Sequence, residues 1–490
     1  MSTSVKYPEL PGVLKGRISW RMLRFFGAGA IIASVTIGSG ETLFASRGGA
    51  IFGYALLWCF VGGAIMKGVQ VYTGARYMTL TGQHPIAAWM HLPGPRGWFP
   101  GFLAVTSLLC FPFWLAGLPL MIGKTLNWMF GATGADSELL MYARLWGSAC
   151  IILASVLTIV QTYGLLEKIQ TFIVGVLLLS ILAAFFATTP DWIAIVQNTF
   201  LPSVPHYPAW MIESQADKIK SIVRWPEWVE VGVYLGAVGG GTYDYLGYLG
   251  FYREKRWGAI DATEMGSVTL KNAPAIDVEA ENVHRGRRWL RPVKIDVGVS
   301  FFCVLLFTIC FVVLGAEILF TQYVDEPPVD KIPGGHDLLS PQAAFLTQFH
   351  PSLKYLYQLG VFVAFWGTIH GAYELYTRTT REALSPLIRA VQNMPMPKLR
   401  RIVVLYCAIG GLVLMWLTEK PEDLVKPAAI VGGVLTCGLW CLAMIWTDRR
   451  FVPKPLRMNW ALVAITFISG IALTGTGVLS LWKYIAKVIG

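Results

Sequence analysis

Of the 490 residues in this chain, 55% are apolar and only 14% are charged, where soluble domains carry about a quarter. That balance excludes an ordinary soluble enzyme and points to a polytopic membrane protein. The net charge of +11 does not mark a nucleic-acid binder, because the basic residues cluster in short loops beside apolar stretches, where they orient a membrane protein.

The first two dozen residues are polar and basic (Lys6, Lys15, Arg17, Arg21, Arg24) and run into an apolar stretch without a small-residue cleavage site. They read as a tail, residues 1–24, rather than a cleaved signal. A membrane span needs about 20 mostly apolar residues. On that rule eleven helices are expected, near 25–46, 51–75, 101–125, 142–161, 166–188, 229–251, 294–319, 355–378, 400–417, 427–447 and 459–483. Lys and Arg concentrate in alternate loops, while 321–340 is acidic, so the expectation is a cytoplasmic amino terminus and an extracytoplasmic carboxyl terminus in a bacterial-type plasma (inner) membrane. All eight cysteines lie in apolar stretches, which argues against disulfides or a soluble zinc site; Cys437 and Cys441 read as small buried apolar residues.

Span one contains Gly38-Ser39-Gly40-Glu41. Glycine costs about 1 kcal/mol in a helix interior, so two of them in a lipid-length helix predict an unwinding point that breaks the helix. Irregular backbone survives at membrane depth only where it is buried in protein or lines a wet cavity. A carboxylate at such a point, Glu41, is a candidate site residue. Span six has the same punctuation in Gly236, Gly239, Gly240 and Gly241, followed by Thr242 and Asp244. Paired Gly-interrupted spans opening two five-helix halves predict an inverted-repeat transporter that binds its substrate at mid-membrane. The expected division is a first repeat over 25–188, an outer loop 189–228, a second repeat over 229–447 containing an inner loop 252–293, and the eleventh span with the carboxyl terminus in 448–490. Both long loops have room for a short amphipathic helix.

In span eight, His370 and Glu374 are four apart and share a helix face. That spacing suits a proton relay or two metal ligands. Arg47, Lys67, Glu317 and Arg378 complete the intramembrane charges; Lys67 is expected to pair with an acid, and Arg378 to reach the membrane surface. Glycine clusters fall in apolar spans rather than after a strand, and there is no Walker motif, so neither an enzyme nor a bound nucleotide cofactor is expected.

The opening stretch resembles the Nramp family of proton-coupled divalent metal transporters. Gly27-Ala28-Gly29, Gly40, Gly48-Gly49, Phe52-Gly53-Tyr54 and Leu56-Leu57-Trp58 fall at the family's spacing, as do Ala75-Arg76, Thr81-Gly82 and the turn Tyr163–Glu167. The resemblance implies a LeuT-type all-α fold, two inverted five-helix repeats plus one helix, with spans one and six broken. The departures fall on the site: the family's metal-binding Asp aligns with Gly38, its Pro with Ser39 and its Asn with Glu41, and the Met and His of its span six are absent between Ala237 and Thr242. Soft thioether ligands favour softer transition metals, so manganese or iron selectivity does not carry over. The reading is a secondary transporter of a cation, most simply a divalent metal. Gly38, Ser39, Gly40, Glu41, Ala237, Gly240 and Thr242 form the substrate site, Glu41 is the metal ligand, and Asp244, His370 and Glu374 are the proton-transfer candidates. Two alternatives stay open. A wide cavity beside the span-six glycines would favour an organic solute. A closed one with Glu41 paired to Arg47 would favour a non-transporting sensor or scaffold.

Overall fold

The computed structural model describes residues 6–16, 20–26, 37–160, 164–262, 275–320, 329–334, 337, 339–418 and 421–489. Among these the chain is helical almost throughout, with isolated bridge residues, such as the pair Gly334 and Asp337, in place of any strand. The principal helices are α1 Ser46–Phe52, α2 Leu57–Thr81, α3 Trp98–Met129, α4 Asp136–Val160, α5 Gly164–Ala187, α6 Glu227–Ala237, α7 Thr242–Lys255, α8 Ala280–Leu314, α9 Leu353–Leu384, α10 Met396–Leu417, α11 Pro421–Ile430, α12 Thr436–Phe451 and α13 Trp460–Ile489. Helix coincides with each of the eleven expected segments, in the first case only from Ile37 onward.

Length and hydropathy alone qualify seven helices as spans among the described residues, and eight if the pair Phe172–Ala187 and Trp192–Phe200, bent by 109°, is one span. The shortfall from eleven has a physical reason. Spans one and two count as the single run Gly40–Thr81, α6 and α7 are each too short once the chain is broken between them, and the Tyr, Gln and His residues of α9 hold its hydropathy down. Spans one and two are separated by one turn of 3₁₀ helix, Gly53–Leu56, entered through Gly53 at φ +58°. The segment 189–228 holds three short helices, Trp192–Phe200, Ala209–Glu213 and Asp217–Val223.

Backbone groups freed by helix breakers are satisfied by other helices, as a membrane interior requires. Pro112, inside α3, cannot bond the carbonyl four residues earlier; the Tyr406 hydroxyl of α10 donates to that Leu108 oxygen at 2.7 Å. Glycines allow the closest crossings. A methyl on Gly123 would sit 2.7 Å from the carbonyl carbon of Ala143 in α4, whereas one on Gly101 meets nothing within 4 Å. Gly123→Ala should therefore lower the thermal midpoint in detergent by an overpacking cost of about 1–3 kcal/mol, and Gly101→Ala should hold or raise it. Equal midpoints for the two variants would mean that the α3–α4 crossing is looser than this.

Candidate functional site

The site is built around the break between α6 and α7. α6 stops at Ala237 because Gly239 and Gly240 adopt φ of +74° and +86°, a region that only glycine enters without strain. Gly241 is extended and starts α7, where the Asp244 carboxylate reaches back to accept the Gly241 N–H at 2.8 Å. This carboxylate in the first turn also complements the positive end of the helix dipole.

Span one meets this break through a π-helix, Ile37–Ala45, that runs directly into α1. Gly38-Ser39-Gly40-Glu41 thus forms wide turns over this part, a departure from α geometry that recurs at functional sites. Residues 27–36, which lead into it, lie outside the described residues, as do the side chains of Ile37 and Ser39. A methyl on Gly40 would fall 2.5 Å from the Ala237 carbonyl oxygen, so spans one and six touch here through bare backbone.

Glu41 is fully buried. Its Oε1 accepts the Gly239 N–H at 3.3 Å, and its Oε2 has no hydrogen-bond partner among the described residues. From α2, the fully buried Lys67 ammonium donates to the carbonyls of Gly236, Val238 and Gly240 at 3.0, 2.6 and 2.7 Å. The expected acid partner of Lys67 is thus replaced by backbone. Tyr245 donates to the intervening Gly239 carbonyl at 2.6 Å. The exposed ends of two half-helices are therefore each met by the opposite charge, with carboxylates on N–H groups and an ammonium on carbonyls.

Beside the break lies a cavity of about 30 Å³, lined by Asp244, Tyr243, Trp114, Thr368, Tyr376 and, from the break itself, Ala237 and Gly240. Pockets for organic ligands run to about 300–1,000 Å³, so this one has room for a water or a bare ion. On the far side, the π-helical Val431–Leu435 between α11 and α12 presses Gly432 onto the Tyr243 ring and Gly433 onto Gly236.

The remaining sequence candidates are distributed as follows. Thr242 donates to Cys437 Sγ at 3.3 Å, toward α12 and away from the break. His370 lies 3.0 Å from the Thr158 hydroxyl of α4, and Glu374 forms an ion pair with Arg400 at 3.0 Å, so each side chain has a partner other than its helix neighbour. Arg47 forms its ion pair with Glu230 at 3.9 Å, not with Glu41. Arg378 pairs with Glu254 at 2.7 Å and lies over the Phe251 ring. Sequence reasoning missed Trp114, Thr368 and Tyr376, which carry no motif. It also missed Gly432-Gly433, where a second glycine pair in span ten was available as a signal. Among the described residues no three of His, Cys, Asp and Glu gather as a metal cluster.

A bundle of long apolar helices with a broken span meeting a second irregular span at mid-chain defines an integral membrane protein of transporter architecture. Residues 29–214 match the family model described as natural resistance-associated macrophage protein-like (Nramp). No curated protein matches. The whole chain superposes on the Eremococcus coleocola manganese transporter solved with an aromatic bis-isothiourea compound, at 15% identity over 91% of that chain and a TM-score of 0.65. A mutant of that transporter gives 14% identity, 91% coverage and a TM-score of 0.67. The opening 29–214 thus matches the Nramp family model, and the chain as a whole has the LeuT-type fold that its opening motif implied.

Proposed function

We propose that this protein is a secondary transporter of a hard cation, most simply a divalent ion, with a site different from that of manganese-carrying relatives. The observation that carries the reading is the ion-sized cavity with the Asp244 carboxylate on its wall. The side chains around it carry oxygens, on Asp244, Tyr243, Thr368 and Tyr376, and no thioether or imidazole. Oxygen donors without thioether or imidazole suit hard ions such as magnesium or calcium. The cavity is too small for an organic solute, and Arg47 pairs with Glu230 rather than neutralising Glu41. Glu41 then supplies negative charge beneath the break, and Gly40 lets span one approach it. Proton coupling in this reading runs through Asp244, which faces the cavity. A His370–Glu374 relay is less well supported, since Thr158 and Arg400 engage those side chains.

Proteoliposomes containing the chain should take up magnesium or calcium in preference to manganese, with acidification of the lumen if protons accompany the ion. Asp244→Asn should cut uptake at least about ten-fold, the loss of roughly one charge-assisted contact. If calorimetric titration finds no divalent ion bound and none is moved, the cation reading is wrong.

A further inference from the structure

The Lys67 ammonium has an unusual set of partners for a buried charge. Three carbonyls of one broken segment, those of Gly236, Val238 and Gly240, converge on it at 3.0, 2.6 and 2.7 Å, while the Gly239 carbonyl between them turns to Tyr245. The left-handed turns at Gly239 and Gly240 produce this alternation. Among the described residues no carboxylate lies within 4 Å of the Lys67 nitrogen; Glu41 and Asp244 bind N–H groups of the same break instead. Simple hydrogen-bond satisfaction would not call for a charge. A hydroxyl or amide would satisfy carbonyls without the several kcal/mol that desolvating an ammonium costs. What the carbonyls offer is a cradle of neutral oxygens at the negative end of α6, the kind of donor set that replaces the hydration shell of a small monovalent cation.

We propose that Lys67 is a built-in cation: its ammonium fills a monovalent-cation site formed by the carbonyls of Gly236, Val238 and Gly240, so the break stays assembled without a bound ion. Removing the ammonium while leaving the carbonyls should uncover that site. The inference concerns these three carbonyls whatever the cargo is.

The test is thermal unfolding of the full chain in detergent, in sodium, potassium, ammonium or N-methylglucamine chloride at one ionic strength. Wild type should show the same midpoint in all four salts. Lys67→Ala should unfold earlier in N-methylglucamine and regain at least about 3 °C in one of the small cations at saturation, because a ligand that binds only the folded state stabilises it. Lys67→Met, which keeps the apolar stem, serves if Lys67→Ala does not fold. The proposal is overturned if the variants melt identically in every salt. It is equally overturned if wild type, which needs no substitution, is itself selectively stabilised by sodium, potassium or ammonium. A chain that moves no divalent ion would leave either result unchanged, so this test fails or succeeds separately from the cation reading.

Discussion

Glu41→Gln should leave the fold intact and weaken divalent-cation binding at least about a hundred-fold. The substitution is isosteric, and the amide oxygen can still accept the Gly239 N–H that Oε1 takes at 3.3 Å. What disappears is charge. With both carboxylates ionised, Glu41, Asp244 and Lys67 sum to one negative charge around the break; the substitution brings that sum to zero. At an effective dielectric of about 20, a unit charge acting over about 8 Å is worth roughly 2 kcal/mol, and twice that toward a divalent ion. Such a loss corresponds to two or more decades in affinity. Calorimetric titration beside a thermal midpoint separates the two effects, since the midpoint should barely move. Glu41→Ala should differ by also leaving the Gly239 N–H unpaired, at about 1–3 kcal/mol of stability. If Glu41→Gln binds the ion as wild type does, Glu41 is only a strut beneath Gly239.

The largest stability effect should come from Glu230. This carboxylate lies in α6 and is buried with both of its cationic partners: Lys426 of α11 at 2.5 Å and Arg47 of α1 at 3.9 Å. Lys426 also reaches Asp423 at 3.6 Å and lies over the Trp225 ring. The cluster ties the second half of span one and the first halves of spans six and ten into one unit. Removing Glu230 takes the buried anion from both cations and leaves Lys426 only the longer contact with Asp423, and breaking a buried pair from one side costs about 3–5 kcal/mol. Glu230→Ala should therefore lower the unfolding midpoint far more than Arg285→Ala, which removes an exposed i,i+4 pair with Glu281 at 2.9 Å worth about 0.3–0.5 kcal/mol. Comparable midpoints for these two variants would show that water reaches the cluster and screens it.

Much of the architecture was legible in the residues, and so was the place of the candidate site. Apolar runs of span length gave the helices, because lipid imposes its thickness on each one separately. The glycines at 239 and 240 gave the break in span six, because positive φ is a property of single residues. Asp244 was placed just beyond that break by counting, and the structure finds it on the cavity wall. The nature of the irregularity in span one was less legible. Glycine spacing predicts a weak point, yet Gly38–Glu41 forms π-helical turns, because neighbouring helices select which departure from α geometry is kept.

Partners were the part that could not be read. Lys67 reaches carbonyls 169 to 173 residues away, Arg47 is paired by Glu230 rather than by nearby Glu41, and His370 and Glu374 turn to Thr158 and Arg400 despite their helical spacing. Helix period says which residues share a face, but not what stands opposite that face or how each helix is rotated against its neighbours. Legible in the residues alone were a membrane bundle, an opening stretch of Nramp-like pattern, the break in span six and the carboxylate that follows it. Helix packing alone places an ammonium from span two on the break's carbonyls and leaves the adjoining cavity the size of an ion. Local composition controls where a helix must yield, whereas the packing of distant helices controls what fills the gap.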